Sequence, residues 1–242
     1  MKMFLAGSGL IKTWLNDDFY DFYRLQTFYH ISKDEAKVIN KYKGFLLDSG
    51  AFSMFSGVKV DLKKYIDDYI KFINQYNVKH FFELDLYELI GIKETEDIRS
   101  YIEKETGKKT IPVFHIYLGI NYYKKLCKEY KYIAIGASGQ HDSRWTRTHP
   151  EKLKKLVLYA KSQKVLVHGL GYTNHKGLKE IPFYSVDSTS WLSGNRFGSV
   201  YKFENDTMVK HLKPSGKRVK TNETAKNNFK EWVKYQKYLD KI

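Results

Sequence analysis

Three apolar runs in this chain each end in an aspartate: Phe45-Leu46-Leu47-Asp48, Phe81-Phe82-Glu83-Leu84-Asp85 and Phe183-Tyr184-Ser185-Val186-Asp187. A carboxylate at the end of a strand can carry a proton or attack a sugar carbon. It can equally cap the helix that follows. Asp48 opens Asp48-Ser49-Gly50-Ala51-Phe52-Ser53, an acid and a hydroxyl followed by a small step. Gly50 lets the backbone come close to a ligand, and Phe52 offers a face to a flat ring. A tight turn is the plain alternative. Glu83 and Asp85 stand two apart, so strand alternation puts them on one side. Two acids there are costly unless paired or used, and Lys79 or a neighbouring strand could pair one.

His115 lies inside Pro112-Val113-Phe114-His115-Ile116-Tyr117 and reads either as a satisfied core histidine or as a site residue. Two small-residue segments follow: Gly136-Ala137-Ser138-Gly139-Gln140 and Val167-His168-Gly169-Leu170-Gly171-Tyr172. Both suit backbone hydrogen bonding to a ligand, or plain loops. The second lacks the spacing of a dinucleotide or P-loop motif.

Elements of regular structure must bring these residues together. Eight strand candidates alternate with helical stretches: Met3–Ala6, Gly44–Asp48, His80–Asp85, Thr110–Tyr117, Tyr132–Gly136, Lys164–Gly169, Phe183–Asp187 and Ser199–Phe203. Residues 62–73 and 153–160 carry apolar side chains at helical spacing. Repeated strand–helix alternation argues for a parallel sheet, and eight repeats predict a closed (β/α)8 TIM barrel with its chemistry at the carboxyl ends of the strands. The barrel is expected over 1–208. A C-terminal part over 209–242 is expected to supply a basic loop, His211 to Lys220, and a helix, Asn222 to Asp240, packed on the barrel. Phe229, Trp232, Val233, Tyr235 and Leu239 are its apolar positions.

The chain has 242 residues, enough for one large domain. No apolar stretch approaches a membrane span, and the run after Met1 is too short for a signal peptide, so a cytoplasmic location is expected. The single cysteine, Cys127, excludes an intrachain disulfide and any multi-cysteine zinc site. It reads as an ordinary helix residue. The formal charge of +15 favours a polyanionic partner, with a lysine-rich surface as the alternative.

Read in order, these segments resemble the tRNA-guanine transglycosylase superfamily, whose members exchange guanine in nucleic acid for a 7-deazaguanine on a TIM barrel. Asp48-Ser49-Gly50-Ala51-Phe52-Ser53 resembles the family's Asp-Ser-Gly-Gly-Phe-Gln motif. The resemblance makes Asp48 a proton carrier and Phe52 the stacking ring. Asp85 aligns with the second base-recognising aspartate, and His115 falls where the family has a glutamine. Ala134-Ile135-Gly136-Ala137 resembles the glycine pair, and His168-Gly169-Leu170-Gly171 resembles the Met-Gly-Val-Gly stretch. Asp187 inherits the role of nucleophile. The match spans about Gly44 to Trp191.

Two departures bear on the substrate. One cysteine cannot supply the tRNA enzymes' zinc site of three cysteines and a histidine, and the chain is shorter than theirs. It is closer to the compact DpdA-like branch of viral and bacterial proteins that act on DNA. The resemblance therefore implies a DNA-guanine transglycosylase without metal or cofactor, with a possible accessory protein and no membrane partner. Ser49, Gly50, Phe52, Asp85, His115, Gly136, Ala137, Gly169 and Gly171 would bind the base, and guanine would leave. Gln140 stands near the place of a glutamate that favours an aminomethyl base, which implies a neutral substituent such as the nitrile of preQ0. A tRNA-acting enzyme and a non-catalytic nucleic-acid-binding barrel are the alternatives. A sugar-processing barrel is more distant, because the charge and the stacking motif count against it.

Overall fold

The computed structural model describes residues 1–7, 20–51, 61–136, 140–193, 198–212 and 220–241. Its centre is a curled sheet of seven strands: β1 (Lys2–Ala6), β2 (Tyr23–Thr27), β3 (Gly44–Asp48), β4 (Val113–Phe114), β5 (Tyr132–Gly136), β6 (Leu166–Leu170) and β7 (Ser185–Ser188). Their order is β3-β2-β1-β7-β6-β5-β4, and each pairing is parallel. The chain is thus a mixed α/β domain.

Burial on both faces explains why these strands read as continuous apolar runs. Alternation sorts their side chains. Phe4, Ala6, Leu25, Leu46, Val113 and Ala134 gather in one cluster on the concave side. Met3, Leu5, Phe114, Ile133, Ile135, Val167 and Val186 belong to a second cluster under the helices.

The helices are α1 (Lys33–Ala36), α2 (Leu62–Gln75), α3 (Tyr87–Ile90), α4 (Ile92–Thr106), α5 (Gly119–Glu129), α6 (Gln140–Thr148), α7 (Pro150–Ser162), α8 (His175–Glu180) and α9 (Thr221–Leu239). The Asp61 carboxylate caps α2 by accepting from Lys64 N–H at 3.1 Å. The buried stripe of α2, Tyr65, Ile66, Tyr69 and Ile73, packs with Phe81, Leu84 and Ile102.

The structure revises the strand expectations in four places. Thr110–Tyr117 is a strand only over Val113–Phe114, and Ile116–Leu118 forms a 3-10 turn. Among the described residues the sheet has seven strands, and the segment expected as the eighth lies elsewhere. Val200–Glu204 (β8) forms an antiparallel hairpin with Thr207–His211 (β9). Asn205 and Asp206 turn the chain with φ of 49° and 59°, the left-handed pair that a two-residue hairpin turn needs. Next, Tyr23–Thr27 is a strand although Arg24 and Gln26 interrupt its apolar pattern. Both are buried and satisfied: Arg24 donates to Glu35 and to the carbonyls of Leu5 and Gly7, while Gln26 donates to the other Glu35 oxygen. Finally, the segment expected as strand His80–Asp85 makes only two isolated bridges, Leu47 with Phe81 and Phe82 with Ile111. These join it to β3 on one side and to the residues before β4 on the other.

The C-terminal helix packs against the outside of the sheet. All five of its expected apolar positions are buried. Gln236 donates to the Met3 and Tyr23 carbonyls and accepts from Tyr23 N–H, tying α9 to β1 and β2. The composition change expected at Met208 falls inside β9, and residues 213–219 of the basic loop lie outside the described residues. No described helix is long and apolar enough to cross a membrane.

Candidate functional site at the carboxyl ends of the strands

Asp187 lies in β7, opposite Phe4 of β1 in register, and is 7% exposed. Its Oδ1 accepts the Gly171 N–H at 2.6 Å and faces His168 Nε2 at 3.2 Å. Gly171 has φ +71°, so glycine is what lets the turn after β6 present its N–H to this carboxylate. Asp48 ends β3, opposite Thr27 of β2. Its Oδ2 accepts the Thr27 hydroxyl at 2.9 Å, and Oδ1 lies 3.4 Å from the Gly50 N–H. Burial, with the charges of Asp187 and Asp85, raises the Asp48 carboxyl above the ordinary carboxylate range. The hydrogen bonds from Thr27 and Gly50 oppose that rise in part. The Ser49 carbonyl accepts the Tyr65 hydroxyl, which anchors this turn to α2.

Asp85 and His115 are in direct contact. His115 Nε2 lies 2.9 and 2.7 Å from the two Asp85 oxygens, and Nδ1 lies 2.5 Å from Asp142 Oδ2. Burial opposes a charge on the imidazole, but the hydrogen bonds to Asp142 and Asp85 and their charges outweigh it, and its pKa rises to about 10. At neutral pH both ring nitrogens donate, so neither is free to read a base edge. His115 thus orients Asp85, through the ring nitrogen that faces it. Its ring stacks on Tyr117, centroid to centroid 5.4 Å. Gly136 belongs to the same cluster: a Cβ there would sit 2.6 Å from Asp142 Oδ2 and 2.9 Å from His115 Nδ1. Its small size makes room for the acid–imidazole contact.

Glu83 does not join this cluster. It is fully buried, 3.1 Å from Arg99 Nη1, and accepts Tyr87 OH at 2.9 Å and Val113 N–H at 2.5 Å. Burial is the main cause of its raised pKa, about 7. The last backbone pairing of this segment is Glu83 N–H to the Ile111 carbonyl at 3.1 Å, and beyond it Asp85 turns to a separate partner.

Of the residues expected at the site, Asp48, Ser49, Gly50, Asp85, His115, Gly136, Gly171 and Asp187 lie at or just beyond the carboxyl ends of strands or of the bridge-forming segment 81–82. Gly169 sits one residue before the end of β6 and packs on Tyr172 and Phe183. Phe52 and Ala137 lie outside the described residues, and of Gln140 only its place at the start of α6 is described. Two residues went unassigned. Asp142 is an acid in the first turn of a helix after a glycine loop, a recognisable signal. His168, treated above only as part of a glycine segment, is fully buried, opposite Ala134 and Ser185 in register.

A cavity of about 230 Å³ opens at the other end of the sheet, among Lys2, Tyr23, Lys43, Lys79, His80, Tyr132 and Tyr184. Its lining carries lysines and tyrosines and no carboxylate, in contrast to the aspartate end. No protein-family model and no curated protein sequence matches the chain.

Proposed function

We propose that this chain is a DNA-guanine transglycosylase that exchanges guanine for a 7-deazaguanine base. One observation carries the reading: three aspartates from distant segments, Asp48, Asp85 and Asp187, stand toward the carboxyl end of one curled parallel sheet, each with a different hydrogen-bonding environment. Three environments allow three roles. The order of motifs that resembles the guanine transglycosylases supplies the substrate class. We take the fold in its finer form to be a (β/α)8 barrel in which residues 81–83 act as a rudimentary strand. Support comes from Phe82 N–H donating to Leu47 O at 2.9 Å and Ile111 N–H to Phe81 O at 2.8 Å, which link both sheet edges.

Asp187 attacks C1′ of a deoxyguanosine as the C1′–N9 bond breaks. The electron pair left on N9 takes the proton of Asp48, whose pKa is raised by burial. The incoming base returns its N9 proton to Asp48 and attacks C1′, and Asp187 leaves as carboxylate. Asp85, held by His115, accepts hydrogen bonds from the amino and imino groups of the base. The target base must be flipped out or already unpaired to reach these groups. A formal charge of +15 supports phosphate binding that weakens steeply with salt.

The test is exchange of labelled guanine and of preQ0 into single-stranded DNA, duplex DNA and tRNA, with nucleosides read by mass spectrometry. Label in DNA alone is the expected result. Label in tRNA alone would move the activity to tRNA, and none in any polymer, from a folded protein, would overturn the enzyme reading. Asp187→Asn is expected to lose exchange by at least about 10³-fold while still binding DNA.

A further inference from the structure

We propose that His168 and Ser185, backed by Tyr132, form a positioning chain that holds Asp187 by one carboxylate oxygen and leaves the other free to react. The inference rests on the reading of Asp187 as the attacking group. Three neighbouring strands supply the chain. Tyr132 OH is 2.5 Å from Ser185 Oγ, Ser185 Oγ is 2.7 Å from His168 Nδ1, and His168 Nε2 is 3.2 Å from Asp187 Oδ1. His168 and Ser185 are fully buried. Ala134, His168 and Ser185 stand side by side in register across β5, β6 and β7, so strand geometry alone sets the spacing.

Proton counting gives the chain a direction. Asp187 Oδ1 already accepts the Gly171 N–H, so it faces His168 as an acceptor and Nε2 must carry a hydrogen. Nδ1 then accepts from the Ser185 hydroxyl, and Ser185 Oγ accepts from Tyr132. Burial raises the Tyr132 phenol above its ordinary range, so it keeps the proton it donates. Each donor in the row thus points toward Asp187. Among the described residues no donor reaches Asp187 Oδ2. A carboxylate pinned through one oxygen cannot swing, and the unpinned oxygen is the one that meets C1′.

The first readout is the ring ¹⁵N spectrum of the full chain, with His168 assigned by its loss in His168→Gln. The expected result is the tautomer with hydrogen on Nε2 and a bare Nδ1, whose signal shifts in Ser185→Ala. Hydrogen on Nδ1, with or without one on Nε2, would overturn the chain. The second readout is exchange kinetics. His168→Leu is expected to lower kcat about 10²-fold with KM little changed. His168→Gln, which keeps a donor, is expected to recover part of the loss, and the milder Ser185→Ala to lose about tenfold. Unchanged kcat in a folded His168→Leu protein would overturn the positioning role. If the unmodified protein exchanges no base, the reading of Asp187 fails and the positioning role falls with it. The ¹⁵N result then still decides whether the hydrogen-bond chain exists.

Discussion

Glu83 and Asp85 are two residues apart, yet they sit in opposite kinds of polar cluster. Glu83 is fully buried, and Arg99, Tyr87 and a backbone N–H all donate to it. Asp85 keeps 24% of its side chain exposed and is held from one side by an imidazole that Asp142 holds in turn. The first cluster is closed by burial: Glu83 has no exposed surface to offer a ligand. The second is open, with an oriented carboxylate that keeps part of its surface exposed. A fully buried ion pair belongs to the architecture, whereas an oriented, partly exposed acid is equipped for recognition.

The sharpest way to break this contrast is Arg99→Met. It strands Glu83 buried without its cation and is expected to cost about 3–5 kcal/mol in denaturant unfolding. Adding Glu83→Gln should restore much of that loss, and exchange per folded molecule should hold in both proteins. Reduced exchange with intact stability would assign the closed cluster to function after all. Asp85→Asn should do the reverse. We expect kcat/KM for base exchange to fall about 10²–10³-fold, with unfolding free energy changed by no more than about 1–2 kcal/mol.

The pH dependence of stability separates the clusters further. The folded pKa of His115 is raised from 6.5 to about 10, so its contribution is complete below pH 6.5 and is lost as pH climbs through about 10. Relative to His115→Gln, stability should decline by about 2–3 kcal/mol between pH 7 and 9. A flat difference would mean the imidazole is not held as a cation. The smallest effect is expected from Gly136→Ala. The added methyl pushes on the Asp142–His115 contact and should reduce exchange about tenfold, with a melting temperature lower by a few degrees.

Much of this was legible in the residues themselves. Acids at the ends of apolar runs marked Asp48, Asp85 and Asp187, because a two-sided buried strand leaves a plain signature and its end is where polarity returns. The amphipathic stripes of α2 and α9 were equally plain. The strand at Tyr23–Thr27 was hidden because Arg24 and Gln26 meet their partners only after folding, at Glu35 and at the carbonyls of Leu5 and Gly7. Ser199–Phe203 read as a barrel strand, since a pattern of alternating burial does not say which neighbour a strand will pair with. Asp142 and His168 escaped notice for a similar reason: each matters through one contact made across a long stretch of chain.

The sequence alone therefore determined which residues are acidic, which runs are buried and in what order the motifs occur. Those properties are local: they depend on side-chain chemistry and on periods of two and 3.6 residues. Tertiary structure decided how the acids divide their work. It set Glu83 against Arg99, Asp85 against His115 and Asp187 against His168 and Gly171. A carboxylate's role follows from the charges and donors within a few ångströms, and those come from segments that meet only when the sheet curls.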